Sequence, residues 1–150
     1  MTDAARNDRP EAERFKRLRE AHQTELAEDY VEMIDDLIAE TGEARVVDLA
    51  GRLGVSNATV NNSIQRLQRD GLVTTKPYRA IFLTERGQEM AALSRERHRV
   101  VVDLLLALGV DAATAEVDAE GIEHHVSDAT LAAIRMFLVT GGLKTREAKD

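Results

Sequence analysis

Two short amphipathic segments hinged on Gly54-Val55-Ser56 restrict the fold of this chain more than any other stretch. The first, Val46 to Leu53, places Val46, Leu49, Ala50 and Leu53 at helical spacing, and Gly54-Val55 then makes a tight turn. Ser56 is a good N-cap, because its hydroxyl can accept a backbone N–H from the turn that follows. A second helix runs from it to about Arg69, with Val60, Ile64 and Leu67 inward, and Asp70-Gly71 ends it. Helix, glycine-containing turn and capped helix, in that order, make the helix-turn-helix pattern.

The flanking segments extend the pattern. Leu72-Val73-Thr74-Thr75 and Ala80-Ile81-Phe82-Leu83 read as two short strands around Lys76-Pro77-Tyr78-Arg79, a hairpin with a basic tip and hence a wing. Upstream, Leu26, Tyr30, Met33, Ile34, Leu37 and Ile38 recur at helical spacing within Glu11 to Glu40, and Gly42 is a stop signal. The polar residues up to Pro10 predict a frayed arm. Downstream, Thr84 caps a long helix to about Gly109, apolar at Val100, Val101, Leu104, Leu105 and Leu108. Residues 112–125 and 128–140 predict two further helices, the last capped by Ser127. These apolar stripes exceed what ~50 residues can bury among themselves, so a homodimer interface is expected. The predicted fold is mainly α with a small β-hairpin wing: a winged helix-turn-helix followed by a helical dimerisation domain. The expected boundaries are an arm at 1–14, a winged helix-turn-helix domain at 15–92, a helical dimerisation domain at 93–142, and a loose tail at 143–150.

The same elements could form any small α+β core, but their order together with the charge distribution favours a DNA partner. The net charge is −7, yet residues 52–79 hold Arg52, Arg66, Arg69, Lys76 and Arg79 against Asp70 alone, a local +4. Residues 111–130 hold Asp111, Glu116, Asp118, Glu120, Glu123 and Asp128 with no Lys or Arg. A basic helix-turn-helix predicts double-stranded operator DNA. Ser56 starts the recognition helix, and Asn57, Thr59, Asn61 and Asn62 face outward from its first turns, Asn being suited to adenine; Arg66, Lys76 and Arg79 are expected on phosphates. Aromatic content of 3% disfavours base-stacking recognition of single strands. The longest apolar run is broken by Asp103, which excludes a membrane span there, and the polar start is not a secretory signal. The absence of cysteine removes disulfides, thiolate metal sites and cysteine nucleophiles, and fits a cytoplasmic location.

A second constellation carries different chemistry. In the run Asp118 to His125, Glu120, Glu123 and His124 fall at i, i+3 and i+4, one face of a helix. Two carboxylates and an imidazole there suit a divalent cation of intermediate hardness. Asp29 and Glu32 pair at i, i+3 on the first long helix, and His98 stands among Arg95, Arg97 and Arg99. Taken singly, each reads more simply as a solvated helix face or a surface histidine.

Together with Ala27-Glu28-Asp29-Tyr30-Val31-Glu32, Arg52-Leu53-Gly54-Val55-Ser56 followed by Thr59-Val60, Leu83-Thr84 with Gly87, Glu96-Arg97-His98, and Asp118 through Ser127, the chain resembles the diphtheria-toxin-repressor family of metal-activated transcription factors. The match runs in order over roughly residues 15–140. It implies a two-metal site from Asp29, Glu32, His98, Glu120, Glu123 and His124. Four carboxylates and two neutral imidazoles sum to −4, which two divalent cations cancel. An oxygen-rich set without sulfur favours two manganese ions per protomer, with iron(II) or another divalent ion as the alternative; iron-responsive members carry sulfur-bearing side chains where Asp29 and Glu120 stand. The ligands fall in both halves, so the ion is expected to order one half against the other, with repression of manganese uptake genes as the implied outcome. The chain departs from the family at Asn62, where relatives commonly carry Lys, and at Ser63, where they carry a larger apolar residue, so the operator does not transfer. The resemblance leaves no room for the extra C-terminal domain of longer members. Two other readings compete: a winged-helix regulator answering to a non-metal effector, and a metallo-hydrolase using Glu120, Glu123 and His124. The second lacks a His-Glu-x-x-His run and an open coordination position, so no enzyme activity and no organic ligand are expected.

Overall fold

The computed structural model describes residues 8–76 and 80–141, with Asp8 and Arg9 by backbone alone; Arg79, the first seven residues and the expected tail lie outside that set. In order, the elements are α1 (Asp8–Thr41), β1 (Ala44–Arg45), α2 (Val46–Leu53), α3 (Asn57–Arg69), β2 (Val73–Thr75), β3 (Ala80–Leu83), α4 (Glu85–Ala107), α5 (Ala112–Ile122), a 3-10 turn (Glu123–His125) and α6 (Asp128–Thr140). The mainly helical fold with a small wing is as expected. The chain divides into two compact units, residues 1–92 and 93–150.

In the first unit, Tyr30, Val31, Ile34 and Leu37 of α1 form one side of a core completed by Leu49, Val60, Ile64 and Leu67 from α2 and α3 and by Val73 and Ile81 from the sheet. Gly54 ends α2 in the left-handed region at φ 65°, with its N–H on Ala50 O. Ser56 caps α3 as predicted: its Oγ accepts the Thr59 N–H at 3.1 Å. The wing is more than a hairpin. The antiparallel sheet has three strands in the order β1-β3-β2, with Ala44 paired to Ile81 and Val73 to Leu83. α1 also starts earlier than the periodicity predicts, at Asp8. Pro10 lies in its first turn, where the missing N–H would have had no partner.

Thr84 joins the sheet to α4. Its hydroxyl donates to Gly71 O at 2.7 Å and accepts the Gly87 N–H at 3.1 Å, while its own N–H reaches Leu72 O. Gly87 is buried against the residue just before β2: a Cβ added there would lie 2.1 Å from Leu72 O.

In the second unit, Val101 and Val102 of α4 pack on Ala115 and Ala119 of α5, and Arg135 of α6 donates to Glu96 of α4 at 2.8 Å. Asp111 and Ser127 cap α5 and α6 through their side chains. This small core leaves Leu93, Leu106, Leu108, Val117, Ile122, Met136 and Val139 exposed. Such a quantity of apolar surface fits a unit that associates with another copy.

Candidate metal centre and nucleic-acid interface

The packing of α5 on α4 delivers the site. Ala115 and Ala119 are fully buried and small, so the α5 backbone approaches α4 closely. The residues that follow them, Glu116 and Glu120, are thereby carried to His98, which stands one helical turn before Val101 and Val102. His98, Glu120 and Glu123 each offer a donor atom within 4.8 Å of the others. His98 Nδ1 lies 2.5 Å from Glu123 Oε2 and 3.8 Å from Glu120 Oε1; His98 Nε2 lies 2.8 Å from Glu116 Oε2. His124 Nε2 is 3.5 Å from Glu123 Oε1.

One expectation is revised. The predicted helix over 112–125 ends as α-helix at Ile122, and Glu123, His124 and His125 form a tighter 3-10 turn. Glu120 and Glu123 still converge, but His124 stands outside the three-residue cluster and touches it through Glu123. Of the other predicted ligands, Glu32 on α1 has a buried Oε1 with no hydrogen-bond partner among the described residues. A carboxylate oxygen withheld from water and left unsatisfied costs free energy unless something binds it. Asp29 is half-buried on the preceding turn. Glu116 was legible as an α5 residue one turn before Glu120, yet only as surface charge; its spacing of i, i+4, i+7 with Glu120 and Glu123 was the signal.

Burial pushes the Glu123 carboxyl up to about 7, against the pull of His98. Burial also works to lower His98, but the hydrogen bond to Glu116 and the charge of Glu123 outweigh it and hold His98 above the usual imidazole value. Nδ1 and Oε2 stand 2.5 Å apart in direct hydrogen-bond contact, and a cation bound there would displace the proton that Glu123 donates to a neutral ring. The pH dependence has a definite sign. Both groups bind protons more tightly folded than unfolded, so the folded state holds more protons and the metal-free protein loses stability as pH rises from about 5 to 8. Bound divalent cation needs the deprotonated donors and acts oppositely. The expected result is a gap between thermal midpoints, with manganese and with chelator, that is several degrees wider at pH 8 than at pH 6. A gap of equal width at both would remove Glu123 and His98 from the site.

On α3, Ser56, Asn57, Thr59, Asn61, Asn62 and Arg66 are all exposed, as a reading surface requires. Gln65 and Arg69, also exposed, fall on the same outward side as Asn62; Arg69 was counted in the basic segment, but neither was among the expected DNA contacts. Lys76 sits at the end of β2 with its Nζ 4.9 Å above the Phe82 ring, a contact that holds its charge at the wing.

Comparison with known proteins places this geometry. Residues 22–81 match the family described as iron dependent repressor, N-terminal DNA binding domain, and residues 84–140 match its metal binding and dimerisation domain. The chain belongs to this family of metal-dependent repressors. It is 51% identical over 138 residues, 92% of its own length and 89% of the relative's, to the transcriptional regulator MntR of Escherichia coli O157:H7. It is 39% identical over 104 residues, 69% of this chain and 73% of the relative's, to the HTH-type transcriptional regulator MntR of Listeria welshimeri. Among solved structures, a manganese-dependent transcriptional repressor in complex with manganese is similar at a TM-score of 0.65 and 33% identity, covering 75% of this chain and 52% of that one. The chain therefore spans about half the length of that structure. As a member of the family it is a DNA-binding transcriptional regulator with a metal-binding, dimerising second domain, and not an enzyme.

Proposed function

We propose that this regulator is activated by manganese, binds two ions per protomer through Asp29, Glu32, His98, Glu120, Glu123 and His124, and represses manganese uptake genes as a homodimer on operator DNA in the cytoplasm. The observation that carries the reading is the sulfur-free convergence of His98, Glu120 and Glu123 within 4.8 Å. The unsatisfied Glu32 oxygen supports it. Hard carboxylates and imidazole suit manganese, whereas sulfur donors would favour softer ions. Bound cations would supply the positive charge that lets these carboxylates stay ionised beside one another. The chain's own residues would do the rest: Glu123 and His98 would give up protons on binding, and the α5–α4 packing holds Glu120 beside them. The similar manganese-dependent repressor solved with manganese supports the choice of metal and the repressor role, and the two MntR relatives support transcriptional regulation.

The domains proposed are a DNA-binding domain at 15–92 and a metal-binding and dimerisation domain at 93–142, flanked by an arm and a tail. The DNA contacts proposed are Ser56, Asn57, Thr59, Asn61 and Asn62 at base edges, with Arg66, Lys76 and Arg79 on phosphates. No helix among the described residues is long and apolar enough to cross a membrane. The test is calorimetric titration of manganese into chelator-treated protein, followed by operator retention with and without the ion. About two ions per protomer and manganese-dependent retention are expected. Retention indifferent to chelator overturns the reading, and tighter activation by iron(II) than by manganese overturns the choice of metal.

A further inference from the structure

Glu116 has no place in the six-donor set, yet its carboxylate makes a well-formed contact with one of those donors. Its Oε2 lies 2.8 Å from His98 Nε2, on the far side of the ring from Glu120 and Glu123, which approach Nδ1. The geometry points to Glu116 as the positioning residue of the metal centre, the carboxylate that fixes which nitrogen of His98 faces the ions. The inference rests on the metal-regulator reading above.

An ionised carboxylate only accepts hydrogen bonds, so the nitrogen held against Glu116 must carry a hydrogen. Neutral imidazole carries one N–H. With Nε2 protonated and donating to Glu116, Nδ1 keeps its lone pair, and that is the nitrogen beside Glu120 Oε1 and Glu123 Oε2. A ligating histidine whose other nitrogen donates to a carboxylate is held in one tautomer and one ring orientation and is a better donor for it. The source of the arrangement is local. Glu116, Glu120 and Glu123 recur at i, i+4 and i+7, so one side of α5 and its 3-10 extension presents two ligand carboxylates and the residue that orients the third donor. The Glu116 side chain is 63% exposed, so packing does not explain its place beside the ring, and replacing it leaves the core intact.

The test separates orientation from charge. Glu116→Ala removes both the acceptor and the charge; Glu116→Gln removes the charge but keeps an oxygen for the Nε2–H. In metal-free protein with 15N-labelled histidine, at a pH high enough for the ring to be neutral, His98 is expected to carry its hydrogen on Nε2 in the wild type and in Glu116→Gln, and to lose that preference in Glu116→Ala. Manganese affinity is expected to fall about 10- to 100-fold in Glu116→Ala, the range for outer partners of metal-bound histidine, and to stay nearer the wild type in Glu116→Gln. Wild-type protein that binds no manganese would overturn the regulator reading itself, and this inference with it. Wild-type binding matched by Glu116→Ala, or Glu116→Gln as weak as Glu116→Ala, overturns the positioning role alone. So does a hydrogen found on Nδ1 in the wild type, and so does the loss of one whole ion in Glu116→Ala, which would make Glu116 a ligand.

Discussion

Glu123→Gln is expected to abolish manganese-dependent operator binding while making the metal-free protein more stable near pH 8. The two effects have opposite signs because the proposed site uses Glu123 as a donor, while its burial as a charged group works against the fold. It is 1% exposed, and burial pushes its carboxyl up to about 7, so at pH 8 the metal-free protein holds a largely ionised carboxylate inside. Glutamine keeps the shape, can donate to His98 Nδ1, and removes that charge. A gain of about 1 kcal/mol is expected at pH 8, well below the full worth of the shift because the attraction to His98 is lost as well. Near pH 5 the carboxyl is protonated in the wild type, and the gain should vanish. Manganese affinity should fall by more than about 100-fold, since a direct donor counts for more than an outer partner. Thermal midpoints with chelator and with manganese, at both pH values, measure the first effect; operator retention measures the second. If the variant kept wild-type, manganese-dependent retention, the central donor of the proposed site would be wrong.

Gly87→Ala is expected to cost about 3 kcal/mol in the first unit, the upper end for an inserted methyl that packing cannot accommodate. The added Cβ would stand 2.1 Å from Leu72 O and 3.1 Å from Leu72 C, and both are backbone atoms that cannot swing aside. Leu72 O already accepts the Thr84 N–H, so moving it breaks the junction between β2 and the start of α4. Gly51→Ala is the control. Gly51 lies within α2, where an added Cβ meets nothing within 4 Å, so alanine should stabilise by about 0.5–1 kcal/mol. Denaturant midpoints that place the two variants together would show that steric approach at Leu72 is not the reason for a glycine at 87.

Much of this was legible from spacing. Val60, Ile64 and Leu67 declared the buried side of α3, and Ser56 declared its start, because helix periodicity and capping are local properties. Gly87 was visible as a position shared with the family, but its reason, the approach to Leu72, is tertiary. β1 was not legible: Ala44 and Arg45 are too few to show alternation, and they are a strand only because β3 is there to pair with them. The end of α5 was misread for a related reason. The spacing of Glu120, Glu123 and His124 fits an α-helix, while the extended backbone required at Val126 and at the Ser127 cap tightens the turn before them. The proposed metal donors were recognisable by residue type and family pattern; which of them converge was not, since that depends on two buried alanines letting α5 approach α4.

The strand order has a consequence for how the first unit is made. β1 opens the helix-turn-helix, yet among the described residues its only ladder partner is β3, the last strand there, and the pairing of Ala44 with Ile81 encloses α2, α3 and β2. On the ribosome, the reading head is therefore left unsealed until the wing has emerged, and contacts of such long sequence separation form late. Opening should follow the same logic: amide exchange at Ala44 and Ile81 should report one cooperative event, so that the part that reads DNA and the wing beside it are gained and lost together.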